Sequence, residues 1–299
     1  MPAFSVIIPT YNRLPLLRVA LRSLQQQAFR DFEVIVVDDG STDGTWEALE
    51  TGEMELRTVR RSNGGPGAAR NAGAAVAKGK YLAFLDSDDL FLPWALETYA
   101  AAIIRCESPA FLAGKSFRFG QESELSGVSS APLQINFFPD YFASGSEWRW
   151  WGVSSFVIRR EAFEGIGGFT DEWVNGEDVD LTLRLGTSPG FVQVFEPATF
   201  GYREHANSAM ENFSKTLAGT WRSLRLEQSG QYPGGVARAW ERRQIISRHT
   251  RPVAFRCLTE GLARDGWNLY RTLFPWQVGL GRWKFLFGFP IKALLAQPK

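Results

Sequence analysis

Phe84-Leu85-Asp86-Ser87-Asp88-Asp89 closes an apolar run that begins at Tyr81. Residues 81–85 carry no charge, and three carboxylates follow within four residues. A short apolar run of strand-forming residues reads as a buried strand, so the acids emerge at its carboxyl end. In open α/β sheets, ligands bind in the crevice along that edge. Crowded carboxylates repel one another unless a cation or hydrogen-bond donors compensate them. A hard divalent ion holding a diphosphate is one such compensator. The competing reading is local: Asp88 and Asp89 cap a helix expected over residues 93–102.

Three earlier segments repeat the pattern. Residues 4–9 form an apolar strand that runs into Thr10-Tyr11-Asn12-Arg13. Residues 32–37 form a second, ending in Asp38-Asp39-Gly40-Ser41-Thr42-Asp43-Gly44-Thr45. A short third strand over 57–60 precedes Asn63-Gly64-Gly65-Pro66-Gly67. Helical patterns lie between them. Leu16, Leu17, Ala20, Leu21 and Leu24 share one helical face. A shorter helix follows over 45–49, and residues 68–77 make a small-residue helix able to pack closely on a sheet. Alternating strands and helices imply βαβ units and a mostly parallel sheet. The polar turns at successive strand ends then converge on one crevice.

Downstream, residues 108–146 read as loop, being rich in Gly, Ser and Pro. A strand is expected over 152–158, a helix over 160–164, a turn at Gly167-Gly168, a helix over 178–185 and a strand over 191–195. The tail reads as helical segments broken by Pro233-Gly234-Gly235 and by Pro275.

Taken together, these segments resemble the nucleotide-diphosphate-sugar glycosyltransferases of family 2, with the GT-A fold. The resemblance rests on Ser5-Val6-Ile7-Ile8-Pro9-Thr10-Tyr11-Asn12-Arg13, on Val36-Val37-Asp38-Asp39-Gly40-Ser41, on Asn63-Gly64-Gly65 through Ala69-Arg70-Asn71-Ala72-Gly73, and on the stretch ending at Asp89. It continues through Gly167-Gly168-Phe169, Gly176-Glu177-Asp178-Val179-Asp180-Leu181 and Tyr202-Arg203-Glu204-His205, covering roughly residues 3–210. It implies an α/β fold, a Rossmann-like, mostly parallel sheet flanked by helices, with a mainly helical C-terminal extension. The implied division is a catalytic domain over 1–215, with a nucleotide half (1–105) and an acceptor half (106–215), followed by a basic, aromatic extension over 216–299.

Composition sets the remaining bounds. A chain of 299 residues, 44% hydrophobic, can bury a substantial core. The net charge of +1 hides an asymmetry, for residues 231–299 hold 12 Lys+Arg against 3 Asp+Glu. Cys106 and Cys257 suit free thiols in a reducing compartment rather than a disulfide framework. The N-terminus enters a strand directly, without a signal-peptide pattern. No apolar run approaches the ~18–20 residues of a spanning helix. The expected location is cytoplasmic, at most peripheral on the inner face of a membrane. Exposed cations among aromatics suit an anionic membrane surface; packing on the acidic catalytic domain is the alternative, and nucleic acid is not expected.

Glycosyl transfer from a nucleotide diphosphate has two demands: neutralising the leaving diphosphate and removing a proton from the acceptor hydroxyl. The resemblance implies that Asp88 binds Mn²⁺ or Mg²⁺ directly, with Asp86 and Ser87 toward the ribose or metal-bound water. Asp39 can accept the imide N–H of uracil, with Pro9, Thr10, Tyr11 and Asn12 around the same nucleoside and Arg70 toward the phosphates. The resemblance makes Asp178 the base, placed where a helix N-terminus favours an ionised carboxylate, with Glu177 orienting acceptor hydroxyls. It also brings His205 to the metal or diphosphate. Trp151, in the run Trp148–Trp151, is expected to stack on acceptor sugar. Asp180 and Arg184 read as a structural i,i+4 pair, and His249 has no assigned role. The function expected is a metal-dependent, inverting transfer from a UDP-sugar to a saccharide or lipid-linked acceptor. A sugar nucleotidyltransferase and a non-catalytic nucleotide-sugar-binding module remain as alternatives.

Overall fold

The computed structural model describes residues 1–51, 56–145, 152–204 and 212–295, in which nine strands form one sheet. Its first half is parallel: β1 (Phe4–Thr10) lies between β2 (Phe32–Asp38) and β4 (Tyr81–Phe84), and β3 (Arg57–Arg60) flanks β2. The connecting helices are α1 (Leu14–Gln25), α2 (Thr45–Glu50) and α3 (Pro66–Val76). Alternate strand residues face opposite sides. Ile7, Ile35, Leu82 and Phe84 enter one core, and Val6, Ile8, Val36 and Ala83 enter the other. Strands covered on both faces must be apolar throughout, which is why these runs do not alternate with polar residues. α3 sits very close to the sheet, since a Cβ at Gly73 would lie 2.6 Å from Ile7.

Beyond α4 (Ala95–Arg105) the sheet becomes mixed. The short β5 (Leu90–Phe91) follows β4 in the chain, and after α4 come β6 (Phe111–Phe119), β7 (Gln134–Phe138), β8 (Phe156–Arg159), α5 (Arg160–Gly165), α6 (Glu177–Arg184) and β9 (Phe191–Arg203). β8 runs antiparallel between β4 and β6, while β6 and β9 are parallel. The loop expected over 108–146 therefore contains two strands. Gly114, within that stretch, is a close-approach glycine, because a Cβ there would lie 2.1 Å from Thr199 Oγ1 and Tyr99 Oη. β9 also passes beyond residue 195. Gln193 faces Ala113 and Ala198 faces Lys115, so residues 194–197, including Pro197, bulge opposite Gly114.

The C-terminal helices are α7 (Phe213–Gln228), α8 (Ala239–Thr259), α9 (Ala263–Gly279) and α10 (Trp283–Leu295). The break at Pro233-Gly234-Gly235 falls between α7 and α8, but Pro275 lies inside α9 and ends nothing. Phe213, Leu224, Ile246 and Leu269 share the core that holds Phe84 and Phe111 of the sheet. Several tail arginines point inward. Arg242 and Glu227 form a buried pair at 2.6 Å, Arg238 grips Asp140 with two bonds of 2.7 and 2.8 Å, and Arg248 donates to the Gly145 carbonyl at 2.6 Å. Cys106 and Cys257 are both free thiols.

Candidate active site

A cavity of about 460 Å³ opens at the carboxyl ends of β1, β2 and β4 and is closed by α6, α7 and α8. Pro9, Thr10 and Tyr11 enter its wall from the end of β1. Thr10 is buried, and its Oγ1 has no hydrogen-bond partner among the described residues. A buried hydroxyl of this kind fits a ligand that supplies the missing bond. Asn12 does not line the cavity. It adopts a left-handed φ of 51°, donates its N–H to Ser41 Oγ at 2.9 Å and accepts from the Thr42 N–H at 2.7 Å, stitching the β1 and β2 turns together.

Asp39 follows β2 and is buried in the same wall. Its carboxylate accepts from the N–H of Gly65 at 2.8 Å, the N–H of Gly64 and the Arg61 guanidinium at 2.9 Å. Burial raises its pKa, opposed by these same donors. Gly65 has φ 90°, and a Cβ there would lie 2.6 Å from the indole of Trp173, which lies against this turn. Trp173 lines the cavity, half-exposed, with the Lys215 ammonium 3.5 Å from its ring centroid.

Asp86, Asp88 and Asp89 bring carboxylate oxygens within 4.8 Å of one another. Their environments differ. Asp89 is buried and accepts from Ser154 Oγ at 2.6 Å and the Arg203 N–H at 3.0 Å. Burial, then Asp86 and Asp88, push its pKa well up, so Asp89 braces the turn from behind. Arg203 also donates through Nε to the Asp88 carbonyl at 3.0 Å. Asp86, Ser87 and Asp88 face the cavity. Asp88 is ion-paired to Arg13, and Asp86 to Arg70 at 2.5 Å. Two guanidinium groups thus supply the positive charge that the cluster demands, and a donor set of clustered carboxylates fits a hard divalent cation.

Arg70 is the hinge of the site. It rises from α3, 3% exposed, and its second branch reaches Glu177 at 2.9 Å. Burial alone would lower its pKa, but Asp86 and Glu177 raise it above its ordinary value. Glu177 and Asp178 occupy the first turn of α6, after Gly176 at φ 93°. Asp178 accepts from the Val179 N–H at 2.8 Å. Burial and then Glu177 push its pKa up to about 7, against the Val179 bond and Arg70.

α7 holds this turn in place. Asn175 donates to Thr216 Oγ1 at 3.1 Å, and a Cβ at Gly219 would lie 1.9 Å from the Asn175 carbonyl oxygen. Gly219→Ala is therefore expected to cost about 1–3 kcal/mol through forced overpacking, read as a lower urea midpoint at unchanged slope. Asp180 is a structural hub, bonded to Arg184 at 2.9 Å, Arg222 at 2.5 Å and Tyr232 at 3.0 Å. His249 of α8 lies in the cavity wall, its pKa lowered to about 4 by burial and by Arg248.

The structure thus brings Pro9, Thr10, Tyr11, Asp39, Arg70, Asp86, Ser87, Asp88, Glu177 and Asp178 to one cavity. Trp151 and His205 fall outside the described residues. Sequence reasoning missed Arg13, Trp173 and the α7–α8 wall. Arg13 stands within the first quoted motif, so its site role was within reach; the helices carry no motif.

The family described as Glycosyl transferase family 2 matches residues 5–166. Among curated relatives, the uncharacterized glycosyltransferase EpsJ of Bacillus subtilis is 28% identical over 223 residues, covering 71% of this chain and 64% of its own length. The UDP-Glc:alpha-D-GlcNAc-diphosphoundecaprenol beta-1,3-glucosyltransferase WfaP of Escherichia coli is 27% identical over 222 residues, covering 73% of this chain and 83% of that one. The chain spans less than two thirds of several relatives, down to 14–15% for three Rickettsia glycosyltransferases. Among solved structures, S. aureus TarS residues 1–349 in complex with UDP-GlcNAc superposes with a TM-score of 0.59 at 19% identity, covering 93% of this chain and 92% of that one. The match over more than half of the sequence, on a fold shared with TarS, places this chain in glycosyl transferase family 2.

Proposed function

We propose that the enzyme is a metal-dependent, inverting glycosyltransferase that moves a sugar from a UDP-sugar to a saccharide or lipid-linked acceptor at the inner face of a membrane. One observation carries most of this reading: Arg70 joins the carboxylate cluster to the Glu177-Asp178 turn inside a single cavity. The diphosphate end and the base end of a transfer reaction are thereby adjacent. Asp88, with Asp86 beside it, would hold Mn²⁺ or Mg²⁺, which neutralises a leaving diphosphate. Arg13 and Arg70, released from their carboxylates, are positioned to meet phosphate oxygens. A carboxylate offers about four lone-pair sites, so Asp39 retains room for the imide N–H of uracil beside the bonds from Gly64, Gly65 and Arg61. Asp178 takes the proton of the acceptor hydroxyl, and Glu177 orients that hydroxyl. A lipid-linked acceptor is the substrate that the name of WfaP specifies.

A base must be ionised to act. With its pKa raised to about 7, Asp178 is largely neutral below that pH. We expect kcat/KM, which reports the free enzyme, to fall as the pH drops below about 7 and to level off above it. A profile flat down to pH 5 would remove Asp178 as the titrating base. UDP release from UDP-glucose, UDP-galactose and UDP-N-acetylglucosamine, with Mn²⁺ and a panel of acceptors, separates transfer from nucleotide exchange and from simple binding.

A further inference from the structure

α10 covers one of its sides and leaves the other bare. Phe285, Leu286 and Phe289 are buried. Tyr270 of α9 stacks on Phe289 with centroids 5.0 Å apart, and Phe255 of α8 meets Phe285 edge-on at 5.6 Å. The opposite side carries Trp283, Phe287, Ile291 and Leu294, exposed by 56%, 65%, 56% and 84%. Spacings of four, four and three residues set them in one stripe along the helix. The Trp283 and Phe287 rings stack on each other at 6.3 Å, outside the core. At the adjoining end of α9, Phe274 and Val278 are also exposed.

An apolar stripe of this extent marks an interaction surface, and charge identifies the occupant. Arg271, Lys284 and Lys292 stand exposed on the same two helices and Arg282 in the link between them, and no Asp or Glu occurs after Asp265. A second copy of the chain would set these cations against cations. An anionic bilayer attracts them while the aromatics enter the headgroup boundary. No helix among the described residues is long and apolar enough to cross a membrane, which suits a helix lying in the interface plane. Arg238 and Arg242 do not compete for this role, since they are committed to Asp140 and Glu227.

We propose that the outer face of α10, together with the end of α9, is the surface on which this enzyme lies against an anionic lipid bilayer. The proposal rests on the membrane-side reading of the acceptor and deepens it by naming the surface. It is tested with the full chain, without donor or acceptor, on vesicles of phosphatidylcholine mixed with phosphatidylglycerol and on phosphatidylcholine alone. The wild type should co-sediment with the anionic vesicles at low salt. Phe287→Glu/Ile291→Glu should lower the partition coefficient by more than about tenfold, through lost apolar burial. Arg282→Gln/Lys284→Gln should lower it by about fivefold per cation and flatten its salt dependence. Titration of the same proteins with UDP and Mn²⁺ should be unchanged. It also separates the two readings, because a wild type that binds vesicles but not UDP supports the docking surface and defeats the catalytic one. A wild type that ignores anionic vesicles would overturn the proposal. So would stripe and cation variants that bind as well as wild type, or light scattering that shows a dimer split by Phe287→Glu/Ile291→Glu with no vesicle binding.

Discussion

Asp178→Asn is expected to lower the turnover of glycosyl transfer about 10²- to 10⁴-fold, the usual range for loss of a general base. Asparagine keeps an oxygen that can accept the Val179 N–H at this helix start, so the turn should retain its shape. UDP binding in the presence of Mn²⁺ should barely change, because the proposed nucleotide contacts lie on β1, β2 and the 63–65 turn. Stability supplies a second, opposite sign. Asp178 has a folded-state pKa raised to about 7 by burial and Glu177, above its value in the unfolded chain. Ionising it in the folded protein therefore costs stability as the pH rises through that window. Asparagine removes the cost, so the thermal midpoint at pH 8 should equal or exceed that of the wild type. A variant that transfers sugar at the wild-type rate would make Asp178 a structural acid and move the base elsewhere.

Asp88→Ala is expected to abolish the Mn²⁺-dependent part of UDP affinity. Of the three clustered carboxylates, Asp89 is committed to Ser154 and the Arg203 N–H, and Asp86 is shared with Arg70. Asp88, which faces the cavity in an ion pair with Arg13, is the proposed metal ligand. Its ion pair with Arg13 has side chains 31% and 17% exposed, so losing it should cost little, as partly solvated pairs commonly do. The fold should survive, with a circular dichroism spectrum and urea midpoint close to wild type. Calorimetric titration with UDP, with and without Mn²⁺, is the check. If Mn²⁺ still strengthens UDP binding in the variant, the metal is held by other groups.

The nucleotide half was legible because its strands are buried on both faces and its turns carry short, ordered motifs. Periodicity placed β1, β2, β3 and β4 within a residue or two of their ends. The acceptor half was harder for two physical reasons. The stretch 108–146 reads as loop from its Gly, Ser and Pro content, yet Gly114 within it serves close packing against Tyr99 and Thr199. The strand expected over 191–195 continues to Arg203, with Pro197 in a bulge along it. Local signals cannot separate these cases, since they depend on partners about 80 residues away in sequence.

The site divides along the same line. Asp39, Asp86, Asp88 and Asp178 each stand at a strand or helix end, with Arg70 in the first half of α3, and their convergence followed from topology. The wall formed by α7 and α8 did not, because Thr216, Gly219 and His249 reach the cavity only through packing of helices that carry no motif. The tail shows how far charge can mislead by itself. Its arginines suggested one basic surface, yet Arg242 is 3% exposed against Glu227.

Metal-dependent release of UDP from a UDP-sugar, with the anomeric configuration of the glycosyl product read by NMR, is the most direct measurement. The expected result is Mn²⁺- or Mg²⁺-dependent release with inversion at the anomeric carbon, lost in both Asp88→Ala and Asp178→Asn. Transfer that proceeds unchanged in chelator, or that retains configuration, would contradict a metal-assisted, single-displacement reaction with Asp178 as its base.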